Sequence, residues 1–281
     1  MIRFVKYTAA LAVLGYLVFL GILYANQDRV VFMTQPDPVD APAWENLSVE
    51  TITTTDNESL VSWYLPASAD CPTLLMFHGN AERLWPRDPE LQFLRDQGLG
   101  FLNVAFRGYS GSTGKPSEQG VYNDARAAYM HLRAIGVPAT DIVVRGFSLG
   151  GAPSTLLATE QEIGALILGA PFYSAVQMGK DRLPLAPVGL LLKHDFRTDL
   201  RIADVTAPVL IGHGEADQIV PAWHSERLQA LVPDNVHRVT FPGVDHNSLF
   251  YSGMYRDAIW PFLGPLYPAC DALQSTDEVT L

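Results

Sequence analysis

A serine held between glycines is the first feature of the sequence that could carry chemistry. Ser148 is the central residue of the pentapeptide GFSLG, residues 146–150, a G-x-S-x-G pattern that also arises by chance. Its context is more specific, because it follows the apolar run IVVRGF at residues 142–147 and precedes small and apolar residues. A strand, a tight turn and a helix in that order hold a serine hydroxyl clear of the backbone. We therefore predict that Ser148 is a nucleophile; the alternative is a small residue in an ordinary turn.

A serine hydroxyl is a weak nucleophile and needs a base that an acid holds in place. Asp217 follows the apolar run PVLIGH at residues 208–213, and His246 follows the run HRVTF at residues 237–241. Serine, aspartate and histidine at the ends of successive runs form one of the known chain orders of a catalytic triad. The sequence therefore predicts that these three residues meet in one site.

Other residues compete with the acid and the base. Asp217 could instead cap a turn or a helix, and His246 could lie in a surface loop. The competing acids are Asp204 and Asp245, and the competing histidines are His194, His213, His224 and His237. All of these histidines except His194 lie in predicted strands or a predicted helix, where packing or surface roles are expected.

Backbone N–H groups are expected to stabilise the negative oxygen of a tetrahedral intermediate. One should come from Leu149, the residue after the serine, and one from Asn80, in the loop FHGNAERL after the first central strand. The alternative is an ordinary turn at the strand end. Because the backbone supplies the hydrogen bond, we expect replacement of the Asn80 side chain to have little effect.

The elements that must position these residues form a mostly parallel sheet. Short apolar runs without alternation are typical of strands that helices cover on both faces. Six such runs occur, at residues 73–77, 101–106, 142–147, 165–170, 208–213 and 237–241. Residues 46–54 and 58–66 alternate apolar and polar side chains and predict an antiparallel hairpin, while helical patterns cover residues 117–136 and 221–232. We predict a doubly wound α/β sheet whose ligands bind at the carboxyl ends of the strands.

The amino end contains TAALAVLGYLVFLGILYA, residues 8–25, without a charged side chain. As a helix this run is about 27 Å long, enough to span a bilayer core. Arg3 and Lys6 precede it, so the positive-inside rule leaves the amino terminus cytoplasmic and the catalytic domain on the periplasmic or extracytosolic side. The alternatives are a buried helix or a cleaved signal peptide, although cleavage after Ala25 would require a small residue where Leu23 stands.

We divide the chain into four parts. Residues 1–27 are a single-pass membrane anchor, residues 28–45 a linker with three prolines, residues 46–267 the catalytic domain and residues 268–281 a tail. The formal net charge of −11 repels phosphate backbones and argues against a nucleic-acid partner. The lipid bilayer is the expected partner of the anchor.

Two cysteines stand outside any metal or redox motif. Cys71 and Cys270 belong to no C-x-x-C pair or Cys/His cluster, which argues against a zinc site and a redox dithiol. They form either one disulfide, which would suit an oxidising exterior, or two free thiols.

Several landmarks together resemble the α/β-hydrolase superfamily. They are FHGNAE, NVAFRGYSGSTGKPSEQG, GFSLGG, GEADQIVP and GVDHN, and the resemblance covers residues 46–263. More narrowly, the sequence is similar to the membrane-anchored branch with a small lid, related to serine aminopeptidase-like and monoacylglycerol-lipase-like hydrolases. One position departs from many relatives, since Asp245 precedes the histidine where they carry glycine.

The resemblance implies an α/β-hydrolase fold with a minimal lid and acyl transfer through an acyl-enzyme on Ser148, without a metal or an organic cofactor. It also implies that the turn RGYSGSTG, residues 107–114, is architectural. The expected substrate is a small-molecule ester, thioester or related acyl compound, with a carboxylic ester first. A catalytically silent binding protein, an acyltransferase and a peptidase are the alternatives on the same fold. The apolar segment at residues 183–196 is either a core-facing helix or the lining of an acyl pocket, and with the anchor it favours acyl chains near a membrane.

Overall fold

A single sheet of eight strands organises the computed structural model, which describes residues 2–86, 88–232 and 234–270. The strands are Ser48–Thr53 (β1), Ser59–Leu65 (β2), Thr73–Phe77 (β3), Gly100–Val104 (β4), Ile142–Phe147 (β5), Ala165–Gly169 (β6), Val209–Gly214 (β7) and Val236–Phe241 (β8). Their spatial order is β1-β2-β4-β3-β5-β6-β7-β8. β1 and β2 are antiparallel to their neighbours, and the six strands β3 to β8 run parallel. The predicted doubly wound α/β fold is confirmed.

Helices cover both faces of this sheet. They are Ile2–Val31 (α1), Pro89–Asp96 (α2), Glu118–Ala134 (α3), Gly151–Glu160 (α4), Ala175–Arg182 (α5), Val188–Leu191 (α6), Thr198–Arg201 (α7), Trp223–Leu231 (α8) and Trp260–Leu263 (α9). α3 shows why the chain becomes helical locally. The Ser117 side chain accepts a hydrogen bond from the Gly120 N–H at its start, and Val121, Ala125 and Leu132 form its buried face.

The core lies along the central strands. Every residue of β3, β4, β5, β6 and β7 is buried, as the unalternating apolar runs predict. β8 is an edge strand with only its two end residues buried. Because β5 to β8 are consecutive parallel strands, the loops after them emerge along one edge of the sheet.

The predicted linker is docked on the catalytic domain. α1 continues to Val31, past the predicted boundary at residue 27, and Phe32 is buried. The backbone carbonyls of Gln35 and Pro36 accept hydrogen bonds from the N–H groups of Ser110 and Gly111. Within the predicted linker, Phe32, Gln35 and Pro36 therefore contact the rest of the domain, and the division of the chain into four parts stays a prediction. Of the predicted tail at residues 268–281, the part beyond residue 270 lies outside the described residues.

α1 is long and apolar enough to cross a membrane. The segment Arg3–Val31 has a mean hydropathy of 2.1 in its most apolar window, and none of that window is buried inside the structure. This exposure argues against the alternative of a buried core helix. A membrane span and a signal sequence share these properties.

A disulfide joins Cys71, just before β3, to Cys270, after α9. The two Cα atoms are 4.7 Å apart, and the bond closes a loop with a sequence separation of 199. Of the two arrangements that the sequence left open, the structure contains the disulfide.

Reduction of this disulfide is expected to lower the free energy of unfolding by about 5 kcal/mol, because the unfolded chain gains the freedom of a very long loop. Urea titrations with and without reductant measure the change, and the double variant Cys71→Ser/Cys270→Ser should not respond to reductant. Two titratable thiols in the denatured, unreduced protein would contradict the pairing.

Candidate active site

The turn after β5 is too tight for side chains on its glycines. Ser148 has a φ of 48°, a left-handed conformation that residues other than glycine rarely adopt. A Cβ on Gly146 would lie 2.6 Å from the carbonyl oxygen of Gly150, and a Cβ on Gly150 would lie 2.8 Å from that of His78. Glycine is therefore required on both sides of the serine. The turn sets Ser148 directly before α4, at the positive end of that helix.

The structure brings the three residues of the predicted triad together. The Ser148 hydroxyl lies 3.0 Å from Nε2 of His246, and Nδ1 of the same ring lies 2.6 Å from Oδ2 of Asp217. All three side chains are buried. An ionised carboxylate only accepts hydrogen bonds, so the proton of a neutral ring is on Nδ1, and Nε2 is left to accept the hydroxyl proton.

The Asp217 carboxylate is held by several donors. Its Oδ1 accepts the N–H groups of Ile219 and Val220, each at 2.8 Å, and its Oδ2 lies 3.3 Å from Nε2 of His213. Burial would raise the pKa of Asp217, but the hydrogen bonds from His213 and His246 hold that pKa below its ordinary value. The carboxylate therefore stays ionised beside the histidine.

From the sequence, His213 was expected to have a packing or surface role. Its Nε2 also lies 2.7 Å from the carbonyl oxygen of Val220, which can only accept, so Nε2 carries a proton. That proton is shared between Val220 and Asp217. The available signal was the position of His213 at the end of β7, four residues before the acid.

The competing acids are placed elsewhere. Oδ1 of Asp245 accepts hydrogen bonds from the backbone N–H and the hydroxyl of Ser248, at 3.0 and 2.7 Å. These bonds close the turn that carries His246, so Asp245 shapes the loop that presents the base. Asp204 lies exposed at the end of a 3-10 turn.

The remaining histidines also have other surroundings. Nε2 of His194 lies 3.0 Å from the Asp28 carboxylate at the end of α1. His224 is buried in α8 and accepts the N–H of Tyr173 at 3.1 Å. His237 is exposed on β8.

The residues of the two predicted backbone donors lie at the same cavity as the serine. Asn80 and Leu149 line the same cavity as Ser148. Within the described residues the Asn80 N–H donates no hydrogen bond to the protein. N–H groups at the start of a helical turn, where Leu149 lies, also lack partners within the helix. Both groups thus suit an external acceptor.

The Asn80 side chain has a structural task that the sequence did not indicate. Its Oδ1 accepts hydrogen bonds from the Met33 N–H at 2.8 Å, the Ala81 N–H at 3.0 Å and the Tyr109 hydroxyl at 3.0 Å. The side chain therefore ties the segment after α1 to the loop after β3. This revises the expectation that its replacement has little effect.

A cavity of about 690 Å³ opens from Ser148 and His246 between α1 and the helices α5 and α6. Its walls are mostly apolar. The segment at residues 183–196 contributes Leu183, Ala186, Val188, Leu191, Leu192 and Phe196. Of the two interpretations of this segment, the structure supports the lining of a pocket. Among residues 2–86, 88–232 and 234–270, no group of three or more His, Cys, Asp or Glu side chains is arranged to hold a metal ion.

His78 supports the loop that carries Asn80. Its Nε2 accepts the N–H of Phe106 at 3.2 Å, and its Nδ1 lies 2.7 Å from the carbonyl oxygen of Gly79. A neutral ring with its proton on Nδ1 satisfies both bonds. Burial lowers the pKa of His78 to about 4, and burial likewise lowers the pKa of His224 to about 4.

Because of these two histidines, we predict that the free energy of unfolding falls in acid. Their pKa values are below the ordinary 6.5 only in the folded state, so their contribution is complete above pH 6.5 and is lost as the pH falls towards 4. At 1.36 kcal/mol per pKa unit the loss is about 3 kcal/mol for each ring. Urea midpoints between pH 7.5 and 4.5 measure it. His224→Gln should flatten the dependence, the exposed control His237→Gln should not, and a constant midpoint would refute the prediction.

Comparisons with known proteins show that the chain is similar to α/β hydrolases. Residues 106–252 match the model of the dienelactone hydrolase family. The uncharacterized protein Rv2307c of Mycobacterium tuberculosis is 36% identical over 90% of this chain and 92% of its own length. The α/β hydrolase domain-containing protein WAV2 of Arabidopsis thaliana is 30% identical, covering 88% of this chain and 87% of that protein.

Solved structures share the fold at lower identity. The esterase Pf2001 of Pyrococcus furiosus has a TM-score of 0.65 at 19% identity, covering 84% of this chain and 98% of its own. A puromycin-hydrolyzing peptidase of Mycobacterium tuberculosis has a TM-score of 0.64 at 18% identity, covering 79% of this chain and 39% of its own. At these identities the likeness concerns the fold alone.

Proposed function

Since the chain belongs to the dienelactone hydrolase family and is a hydrolase of the α/β fold, we propose that it is a membrane-anchored serine hydrolase of carboxylic esters or thioesters. The observation that carries the proposal is the unbroken series of hydrogen bonds from Ser148 through His246 to Asp217. The substrate is a small acyl compound. Its acyl group lies in the apolar cavity beside the serine.

Acylation begins when Oγ of Ser148 attacks the substrate carbonyl carbon. Nε2 of His246 takes the hydroxyl proton, and Asp217 stabilises the resulting imidazolium through Nδ1. The carbonyl oxygen becomes negative and accepts hydrogen bonds from the N–H groups of Asn80 and Leu149. When the intermediate collapses, the carbon–oxygen or carbon–sulfur bond breaks, and His246 gives its proton to the leaving alcohol or thiol.

Deacylation repeats these steps with water as the nucleophile. His246 removes a proton from water, the hydroxide adds to the acyl carbon, and the bond to Oγ of Ser148 breaks as the proton returns to that oxygen. The products are a carboxylic acid and the free enzyme. His246 acts as the general base and then as the general acid in both halves of this cycle.

The anchor is proposed to leave the catalytic domain on the periplasmic or extracytosolic side. Arg3 and Lys6 on the amino-terminal side support this orientation. The Cys71–Cys270 disulfide supports it independently, because such bonds persist in oxidising compartments. An alkaline phosphatase fused after residue 281 should be active, and the membrane fraction should retain residues 1–27. An inactive fusion, or a chain cleaved after Ala25, would refute the respective part of the proposal.

The reaction class is tested with purified full-length protein. A fluorophosphonate probe should label the wild type, and p-nitrophenyl esters or acyl thioesters should be turned over faster than an aminoacyl p-nitroanilide. Preferential turnover of the anilide would make the protein a peptidase. A chain that is neither labelled nor active on any of these substrates would be a binding protein on a hydrolase fold.

A further inference from the structure

The membrane helix forms one wall of the active-site cavity. We propose that α1 and the segment at residues 183–192, which follows α5 and contains α6, together form a binding site for a long acyl chain, which enters sideways from the bilayer. This inference rests on the proposed function and specifies its substrate class as a membrane-resident ester or thioester of a long-chain fatty acid. The anchor is then part of the substrate site.

One stripe of α1 faces the cavity. Leu20, Leu23, Tyr24, Gln27 and Val31 line it, and these positions, i, i+3, i+4, i+7 and i+11, lie on a single helix face. Leu20 and Leu23 also belong to the charge-free run at residues 8–25, the part of α1 that would lie in the hydrocarbon. The same cavity reaches Ser148. A continuous apolar path therefore leads from membrane depth to the nucleophile.

The segment at residues 183–192, which we call the lid segment, has the character of a membrane-immersed surface. It contains no charged residue, and the exposed fractions of Leu185 and Leu190 are 88% and 87%. Exposing such leucines next to an apolar helix costs free energy in water, whereas contact with lipid is favourable. The Tyr16 hydroxyl, from the middle of the charge-free run, donates a hydrogen bond to the Leu185 carbonyl. This contact places the lid segment at the depth of the hydrocarbon.

Polar contacts fix α1 against the end of the lid segment. The Gln27 side chain donates to the Leu191 carbonyl at 3.1 Å and accepts the Lys193 N–H at 2.7 Å. Next to it, His194 contacts Asp28 at 3.0 Å. Charged side chains thus begin at the same level on the helix and on the lid segment. This level matches the boundary between hydrocarbon and headgroups, where charged and aromatic side chains anchor membrane proteins.

The lining of the cavity selects an acyl chain. Apart from Tyr24 and Gln27, the side chains that α1 and the lid segment contribute to the walls are apolar, and Ser148 and His246 lie in the same lining. A volume of about 690 Å³ is in the range that binds a sizeable organic ligand. The ester carbon therefore lies at the serine, and the aliphatic chain extends along Leu23 and Leu20 towards the bilayer.

The decisive experiment places a larger side chain on the α1 wall, so that it fills part of the cavity. Leu23→Trp and the matched control Ile22→Trp are compared in the full chain, reconstituted in phosphatidylcholine vesicles; Ile22 is exposed and points away from the cavity. The measured quantity is kcat/KM for p-nitrophenyl palmitate divided by kcat/KM for p-nitrophenyl butyrate, with active sites counted by fluorophosphonate labelling. We expect Leu23→Trp to lower this ratio at least tenfold and Ile22→Trp to change it less than twofold. Equal ratios in the wild type and both variants would overturn the inference.

A second variant protects the test against misfolding. If Leu23→Trp is not labelled by the probe, Val188→Trp fills the cavity from α6 and should lower the same ratio. A wild-type protein without activity towards either ester would refute the proposed function itself. An active wild type whose chain-length preference ignores both cavity variants would refute only the acyl-chain site.

The route of entry is tested by an environment-sensitive label. The native cysteines are paired, so Leu190→Cys and Met130→Cys can be labelled singly without reductant. Met130 lies near the end of α3, away from the lid segment. In vesicles the label at residue 190 should resist quenching by aqueous iodide, while the label at residue 130 should be quenched. Equal quenching would place the lid segment in water and overturn entry from the bilayer.

Discussion

Replacing Ser148 with alanine is expected to lower kcat for a p-nitrophenyl ester by about 10⁴-fold or more, because the acyl-enzyme can no longer form. The hydroxyl is the atom group that faces Nε2 of His246, and alanine keeps the Cβ that the turn already accommodates. Fluorophosphonate labelling should disappear, while the urea midpoint should stay close to that of the wild type.

Ser225→Ala is the matched control for this variant. Ser225 is also buried, but its hydroxyl donates to the carbonyl of Ala222, the residue before α8, and to no other group among the described residues. Its kcat should remain within about twofold, since surface and helix hydroxyls away from the site do not enter the reaction. Residual labelling or activity of Ser148→Ala close to the wild-type value would show that another residue is the nucleophile.

Asp217→Asn is expected to lower kcat by about 10³- to 10⁴-fold, by fixing the wrong tautomer of His246. The amide oxygen would keep the N–H bonds of Ile219 and Val220, which leaves the amide NH₂ towards Nδ1 of the ring. A ring that accepts at Nδ1 carries its proton on Nε2 and cannot take the proton of Ser148.

Asp245→Asn tests the same substitution next to the base. Asp245 precedes His246 directly and bonds to Ser248 in the turn. An amide oxygen can accept these bonds, so we expect less than a fivefold change in kcat, since an exposed turn residue contributes little. If Asp245→Asn were the more damaging of the two, the acid would have been assigned to the wrong residue.

The sequence sufficed for the main geometry because parallel sheets make position along the chain informative. Asp217 and His246 each follow a buried apolar run, and the loops after neighbouring parallel strands lie at one edge of the sheet. The same runs predicted β3 and β5 to the residue. These inferences depend on local pattern and strand order.

The contacts that the sequence missed join segments far apart in the chain. Asn80 accepts the N–H of Met33, and Gln27 binds the backbone at Leu191. Neither partner carries a local signal, because a backbone N–H or carbonyl occurs at nearly every residue. The ion pair between the buried Arg107 and the exposed Asp56 is similar, since a turn aspartate is common on its own and acquires its partner only in the folded domain.

The placement of the disulfide also determines where the protein yields to force. α1, the docked segment at residues 32–45 and the hairpin of β1 and β2 precede Cys71, whereas Ser148, Asp217 and His246 all lie within the covalent loop that Cys71 and Cys270 close. Tension applied to α1 therefore breaks the noncovalent contacts of α1 and of residues 32–45 first, and then reaches the hairpin edge of the sheet. In a pulling experiment on the oxidised protein, the hairpin should peel from β4 while the looped part still turns over the short-chain ester p-nitrophenyl butyrate. Simultaneous loss of both would show that the edge and the catalytic loop behave as one mechanical unit.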